Sequence, residues 1–114
     1  MTEDEFRRLA LRLPEVVESS HMGHADFRVR GKIFATLAYP SDGWAMVKLS
    51  QQDQQLVLQA SPTVFSRVKG AWGLRGATSV HLRAVTKTSL RDVLHAAWGN
   101  VAPKALVRRE DARH

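Results

Sequence analysis

Cysteine is absent from the 114 residues, which excludes disulfides, thiolate metal sites and thiol nucleophiles and suits a reducing compartment. Acid is absent over a long stretch. No Asp or Glu falls between Asp53 and Asp92, where Arg67, Lys69, Arg75, Arg83, Lys87 and Arg91 all lie. Long apolar runs are missing too. Nothing approaches the roughly 18 consecutive apolar residues of a membrane span. The opening MTEDEFRRLALRLPE is charged from its third residue and does not read as a secretory signal. The expectation is a cytoplasmic domain without membrane association. No Walker signature occurs, no GxGxxG follows a strand, and no serine sits in a nucleophile elbow. The chain offers no catalytic constellation, so it reads as a non-enzyme that needs no cofactor.

What is present is basic and unevenly placed. Residues 1–60 hold 7 Lys/Arg against 8 Asp/Glu, and residues 61–114 hold 10 against 3, within a net charge of +6. A basic half joined to a nearly neutral half is the sequence footprint of a polyanion-binding surface. Lys and Arg release counterions when they meet phosphates, which gives affinity independent of base sequence. Hydrophobic residues make up 44% of the chain, with three Trp and four Phe. That is enough for the core of one domain burying roughly two thirds of its unfolded surface.

Three Ser/Thr residues stand three positions before an acid, the pattern that opens helices. Thr2 with Glu5 precedes the stripe Phe6, Leu9, Ala10 and Leu13, which Pro14 stops. Ser50 with Asp53 precedes Gln54 to Gln59, ended by Ser61-Pro62. Ser89 with Asp92 precedes Leu90, Val93, Leu94, Ala97, Trp98 and Val101, with Pro103 and a last short turn after it. Between the first two helices the period becomes 2. Val16–Met22, Asp26–Arg30, Lys32–Tyr39 and Trp44–Leu49 read as strands, with tight turns at Arg30-Gly31 and Pro40-Ser41-Asp42-Gly43. Ile33, Ala35, Leu37 and Tyr39 are expected on one face. Val64–Val68 and Ser79–Val85 follow as further strands. The fold class is α+β, an antiparallel meander packed against N- and C-terminal helices. Residues 1–107 form the domain, and 108–114 read as a charged, frayed tail.

Gly70-Ala-Trp-Gly73-Leu-Arg-Gly76 carries two overlapping GxxG tetrapeptides beside Lys69. The glycines and a following strand argue against a KH loop, which joins two helices. A flexible basic wing with Trp72 at its tip could press Lys69 and Arg75 onto phosphates while the indole stacks, or Trp72 could fold into the core. His21, His24 and Asp26 are the candidates for a metal cluster, but their number and spacing favour structural histidines, and no metal site is assigned. His81 alternates away from Val80 and Leu82, and His95 lies off the helix stripe and is expected exposed.

Gly23-His-Ala-Asp-Phe-Arg-Val-Arg-Gly-Lys-Ile-Phe-Ala35, Gly43-Trp44 and Val101-Ala-Pro-Lys-Ala-Leu106 together resemble the MmcQ/YjbR family of small bacterial proteins. The likeness spans the chain from the first helix to Leu106. It departs where Ala25 stands for a common Pro and Trp98-Gly99 for a Ser-Tyr pair. The resemblance implies a CyaY/frataxin-like α+β fold and the DNA-binding role usually given to the family, with hairpins as wings. Its motif marks His24, Phe27, Arg28, Gly31, Lys32 and Lys104.

The leading expectation is a non-catalytic module that binds duplex DNA with little sequence preference. Arg28, Arg30, Lys32, Lys69, Arg75 and Lys104 would hold phosphates, with Trp72 at a groove or unstacked base. The alternative is a module for a protein partner or a small acidic ligand on the sheet face or in a groove, signalled by exposure of Tyr39, Trp44 and Trp72. An iron role, suggested by the implied fold alone, suits a +6 chain poorly, since Glu3, Asp4 and Glu5 are its one acidic cluster.

Overall fold

The computed structural model describes residues 1–112. The element order is α1 (Glu3–Leu11), β1 (Val16–His21), β2 (His24–Val29), β3 (Lys32–Leu37), β4 (Trp44–Lys48), α2 (Gln51–Ala60), β5 (Phe65–Arg67), α3 (Ala71–Leu74), β6 (Ala77–His81), α4 (Lys87–Val101) and α5 (Lys104–Ala112). The strands form one six-stranded sheet in the order β1-β2-β3-β4-β6-β5, and every pairing is antiparallel. The expected α+β fold, an antiparallel sheet with N- and C-terminal helices, is observed; the meander runs from β1 to β4, and β6 then lies between β4 and β5.

The first two hairpins follow from their turn residues. Met22-Gly23 and Arg30-Gly31 all take positive φ, as a two-residue turn matched to strand twist requires. Gly31 therefore sets the register Val29↔Lys32. The pairing of β2 with β3 then shifts between Phe27 and Arg28. Phe34 falls in this bulge and is fully buried in the core. A bulge breaks the two-residue period, so the face expected to carry Ile33, Ala35, Leu37 and Tyr39 is not continuous. Strand β3 ends at Leu37, Ala38 takes φ 57°, and Tyr39 turns toward His24 and Trp72.

Helices cover one face of the sheet. Thr2 caps α1 through a reciprocal pair with Glu5, and Phe6, Leu9 and Ala10 turn inward. The stripe of α4 buries Leu90, Val93, Leu94, Ala97 and Trp98 against a cluster including Phe27, Phe34, Ala35, Val47 and Val80. Trp98 Nε1 donates to the Pro14 carbonyl at 3.0 Å, which ties α4 to the end of the first helical segment. The cap of α4 is Thr86 rather than Ser89, because the Thr86 hydroxyl accepts from the Ser89 amide at 3.1 Å. The strand expected over Ser79–Val85 stops at His81. The Val85 amide donates to the His81 carbonyl at 3.1 Å, bending Leu82 and Val85 into the core.

Two regions differ from the sequence reading. Residues 108–112 of the expected tail continue α5, whose Leu106 is buried; the last two residues lie outside those described. The glycine-rich wing is instead the short helix α3. A Cβ at Gly73 would lie 1.6 Å from the Val68 carbonyl oxygen, so glycine allows α3 to dock on the strand before it. Gln54, buried in α2, holds that helix from the other side. Its amide nitrogen lies 2.9 Å from the Gly73 carbonyl and 3.1 Å from that of Ala77.

Gly73→Ala is expected to lower stability by about 2 kcal/mol through this overpacking. Gly99→Ala, in α4 with nothing near its added methyl, is expected to raise it by about 0.5–1 kcal/mol. Thermal unfolding followed by circular dichroism reads both, and equal effects would contradict the assignment.

Candidate functional site on the helix-free sheet face

Residues paired across strands share a face. The registers therefore define one row across the sheet side opposite the helices: Ser19, Asp26, Thr36, Met46, Ser79 and Ser66. Such a face normally carries solvated polar residues. Here Asp26, Thr36, Met46 and Ser79 are all buried. Something other than a helix covers them.

The cover is aromatic. The Tyr39 ring lies 5.9 Å from that of His24 and 6.1 Å from that of Trp72, edge-on to both. The Lys48 ammonium sits 5.8 Å from the Trp72 ring centroid, within cation–π range. His24, Tyr39, Trp72 and Lys48 thus form a band running from β2 to the end of β4. Its Trp72 member remains 42% exposed. Nearer β6, Trp44 stacks on its cross-strand partner His81 with centroids 4.6 Å apart.

To one side of the band lies a charged cluster. Arg28 grips the buried Asp26 carboxylate through Nε at 2.7 Å and Nη2 at 3.0 Å, and His21 Nδ1 lies 2.7 Å from Oδ2. The Arg28 hydrogen bonds, and then that of His21, hold the Asp26 carboxyl below the usual aspartate range against the opposing effect of burial. Two nearby polar atoms are left over. Among the described residues, His24 Nδ1 and Thr36 Oγ1 are buried without a hydrogen-bond partner.

The residues expected to hold phosphates fall into three groups. Arg28 is committed to Asp26. Arg30 makes a bidentate pair with Glu15, its Nη2 3.0 Å from Oε2, and this lowers the Glu15 carboxyl's pKa. Lys32 is exposed beside the Arg30-Gly31 turn, and Lys104 is exposed at the start of α5. Trp72 lies on α3, Arg75 is its C-cap, and Lys69 immediately precedes its N-cap Gly70. The groove lined by Tyr39, Trp44, Arg67 and Lys69 lies on one side, and a recess lined by Lys48, Trp72, Arg75 and Asn100 on the other. Among the described residues neither Lys69 nor Arg75 has a carboxylate within ion-pair distance. Lys48, Thr36 and Ser79 carry no site signal in the sequence, and Arg67 stands out there only as a member of the acid-free basic stretch. The readable signal was Asp26-x-Arg28, a same-face pair within one strand.

His95 differs from its expected exposure. It is half-buried, its ring lies 5.8 Å from that of Trp98, and its Nε2 has no partner among the described residues. His21 and His24 are neighbours with ring centroids 6.4 Å apart. Among the described residues, no group of three or more His, Asp or Glu could hold a metal ion. Glu3, Asp4 and Glu5 form the first turn of α1, where Asp4 pairs with Arg7 at 2.9 Å. No helix among the described residues is long and apolar enough to cross a membrane.

Fold and site together define an α+β domain with helices on one face of an antiparallel sheet and a basic, aromatic surface on the other. Residues 11–100 match the YjbR family, and the chain belongs to that family. Among solved structures it is similar to the Deinococcus radiodurans protein DR2400, described as a DUF419 domain. The TM-score is 0.75 at 18% identity, over 98% of this chain and 86% of that one. At that identity the likeness speaks to fold. A search of curated proteins finds no match.

Asp26 gives this face a pH signature. A carboxyl with a depressed folded pKa contributes stability above its unfolded value near ~3.9, and that contribution is lost as pH falls through the folded value. Asp26→Asn is expected to lower stability at neutral pH by about 3 kcal/mol and to flatten the decline below about pH 4. Urea unfolding of both proteins across that range checks it; parallel pH profiles would remove Asp26 from the acid response.

Proposed function

We propose that the chain is a non-catalytic nucleic-acid-binding module whose phosphate contacts centre on α3. One observation carries this reading. Lys69 and Arg75 flank a half-exposed Trp72 on a four-residue helix, with the Lys48 ammonium over the same indole. Cations with no carboxylate partner among the described residues, set around an exposed aromatic ring, match what a nucleic-acid strand presents, phosphates and flat bases. Backbone phosphates would give affinity and carry no direct sequence information, so little sequence preference is expected.

The pairing pattern sharpens the contribution of each residue. Arg28 and Arg30 already meet carboxylates, so each would have to surrender an ion pair to bind phosphate. Lys69 and Arg75 would surrender none. The contacts therefore rest on the α3 corner, with Lys32 and Lys104 outside the cluster that α3 assembles.

Binding to labelled DNA, read by fluorescence anisotropy from about 50 to 200 mM salt, should weaken steeply. Lys69→Ala and Arg75→Ala should each reduce the slope of log affinity against log salt by about one unit. Arg30→Ala should leave the slope unchanged. A full loss of slope in Arg30→Ala with none in Arg75→Ala would move the site to the hairpin, and no binding at the lowest salt would end the nucleic-acid reading.

A further inference from the structure

The groove beside α3 is built for more than phosphate. Tyr39, Pro40, Trp44 and Val68 supply its apolar walls, Ser66 and Ser79 its hydroxyls, and Lys69 its cation, around about 370 Å³. That volume lies in the range of small-molecule sites. Both rings are fixed before any ligand arrives. Trp44 is backed by His81 with 14° between the ring planes, and Tyr39 is wedged between His24 and Trp72. No carboxylate lines the groove among the described residues.

We infer that this groove takes one nucleotide unit, an unstacked base between Tyr39 and Trp44 with its phosphate at Lys69. The inference rests on the nucleic-acid reading above and adds the state of the nucleic acid to it. A flat ring entering between two preset rings loses little of its binding to reorganisation. The Ser66 and Ser79 hydroxyls both donate and accept, so they can meet the edge of any base and impose little selection among bases. Arg67 is in register with Thr78 on the helix-covered face and donates its Nε to Gln54 Oε1 at 3.2 Å, so Lys69 supplies the phosphate contact. A base paired inside a duplex cannot enter such a slot without being flipped out. The preferred ligand is therefore single-stranded or locally unpaired. Trp72, which lines the Lys48–Arg75 recess and lies edge-on to Tyr39, then meets the next base along the strand.

The same ligand chemistry can come from a strand or from a free nucleotide, and the experiment separates the two. Anisotropy is measured with labelled oligothymidylate and with a blunt duplex, and tryptophan quenching with thymidine monophosphate. Each is run on the wild type, on Trp44→Leu, which removes one wall, and on Ser66→Phe, which fills the groove from an exposed edge position and leaves the core untouched. The expected result is tighter binding of oligothymidylate than of duplex. Both variants should lose roughly tenfold for the single strand while duplex affinity stays within about twofold. If the wild type binds both DNAs and the variants bind them unchanged, the groove assignment is overturned and the nucleic-acid reading survives. If neither DNA binds but the monophosphate quenches the wild type and not Ser66→Phe, the groove stands as a free-nucleotide site and the strand reading falls. Failure of all three ligands overturns both.

Discussion

A sheet with helices on one side has two faces and one cover, and that constraint shapes the rest of this protein. Helices α1, α2, α4 and α5 gather against the face carrying Phe27, Ala35, Val47 and Val80. On the other face two aromatic side chains meet edge-on, Tyr39 from the loop after β3 and Trp72 from α3. Rings delivered from connecting segments touch the sheet over far less area than a packed helix. Such a cover is the kind of element that binding sites use, because loops can be reshaped at low cost to the core.

Beneath and beside the rings sit groups that an inert surface would not keep. Asp26 is buried and charged, and it is stabilised by Arg28 and His21 in place of water. Burying this carboxylate costs desolvation that its two partners offset, so the pair adds little net stability although removing Asp26 alone is costly. Thr36 Oγ1 and His24 Nδ1 add unmet hydrogen-bonding capacity on the same side. Among the described residues Lys48, Lys69 and Arg75 at the α3 corner have no carboxylate within ion-pair distance, a property they share with Lys32 and Lys104. Electrostatics and shape thus converge on one end of one face, which a uniform +6 charge would not by itself produce.

Much of the fold was legible because its signals are local. The Thr2 and Ser50 caps, the α4 stripe and the glycine at the Arg30-Gly31 turn each act within a few residues, and each appears where its pattern places it. The misreadings share a cause in tertiary contact. Phe34 enters the core through a bulge that no two-residue period can encode. Gly73 reads as loop flexibility, yet it serves close packing of α3 on the Val68 carbonyl. The α5 residues past Val107 look polar and frayed, but Arg109 reaches Glu15 at 3.8 Å across the fold. The site was legible as a list of residue types and not as a place. Arg28 and Arg30 are as basic in sequence as Lys69 and Arg75, and only the fold shows which of them already have carboxylates.

The central claim is that function resides on the helix-free face around α3. The most direct test is amide chemical-shift mapping of isotope-labelled protein titrated with oligothymidylate at low salt. The account predicts the largest shifts at Ser66, Lys69, Trp72, Arg75 and Ser79, with the Trp44 and Trp72 indole signals moving alongside them. Shifts confined to α1, α4 and α5, with the sheet face silent, would contradict it.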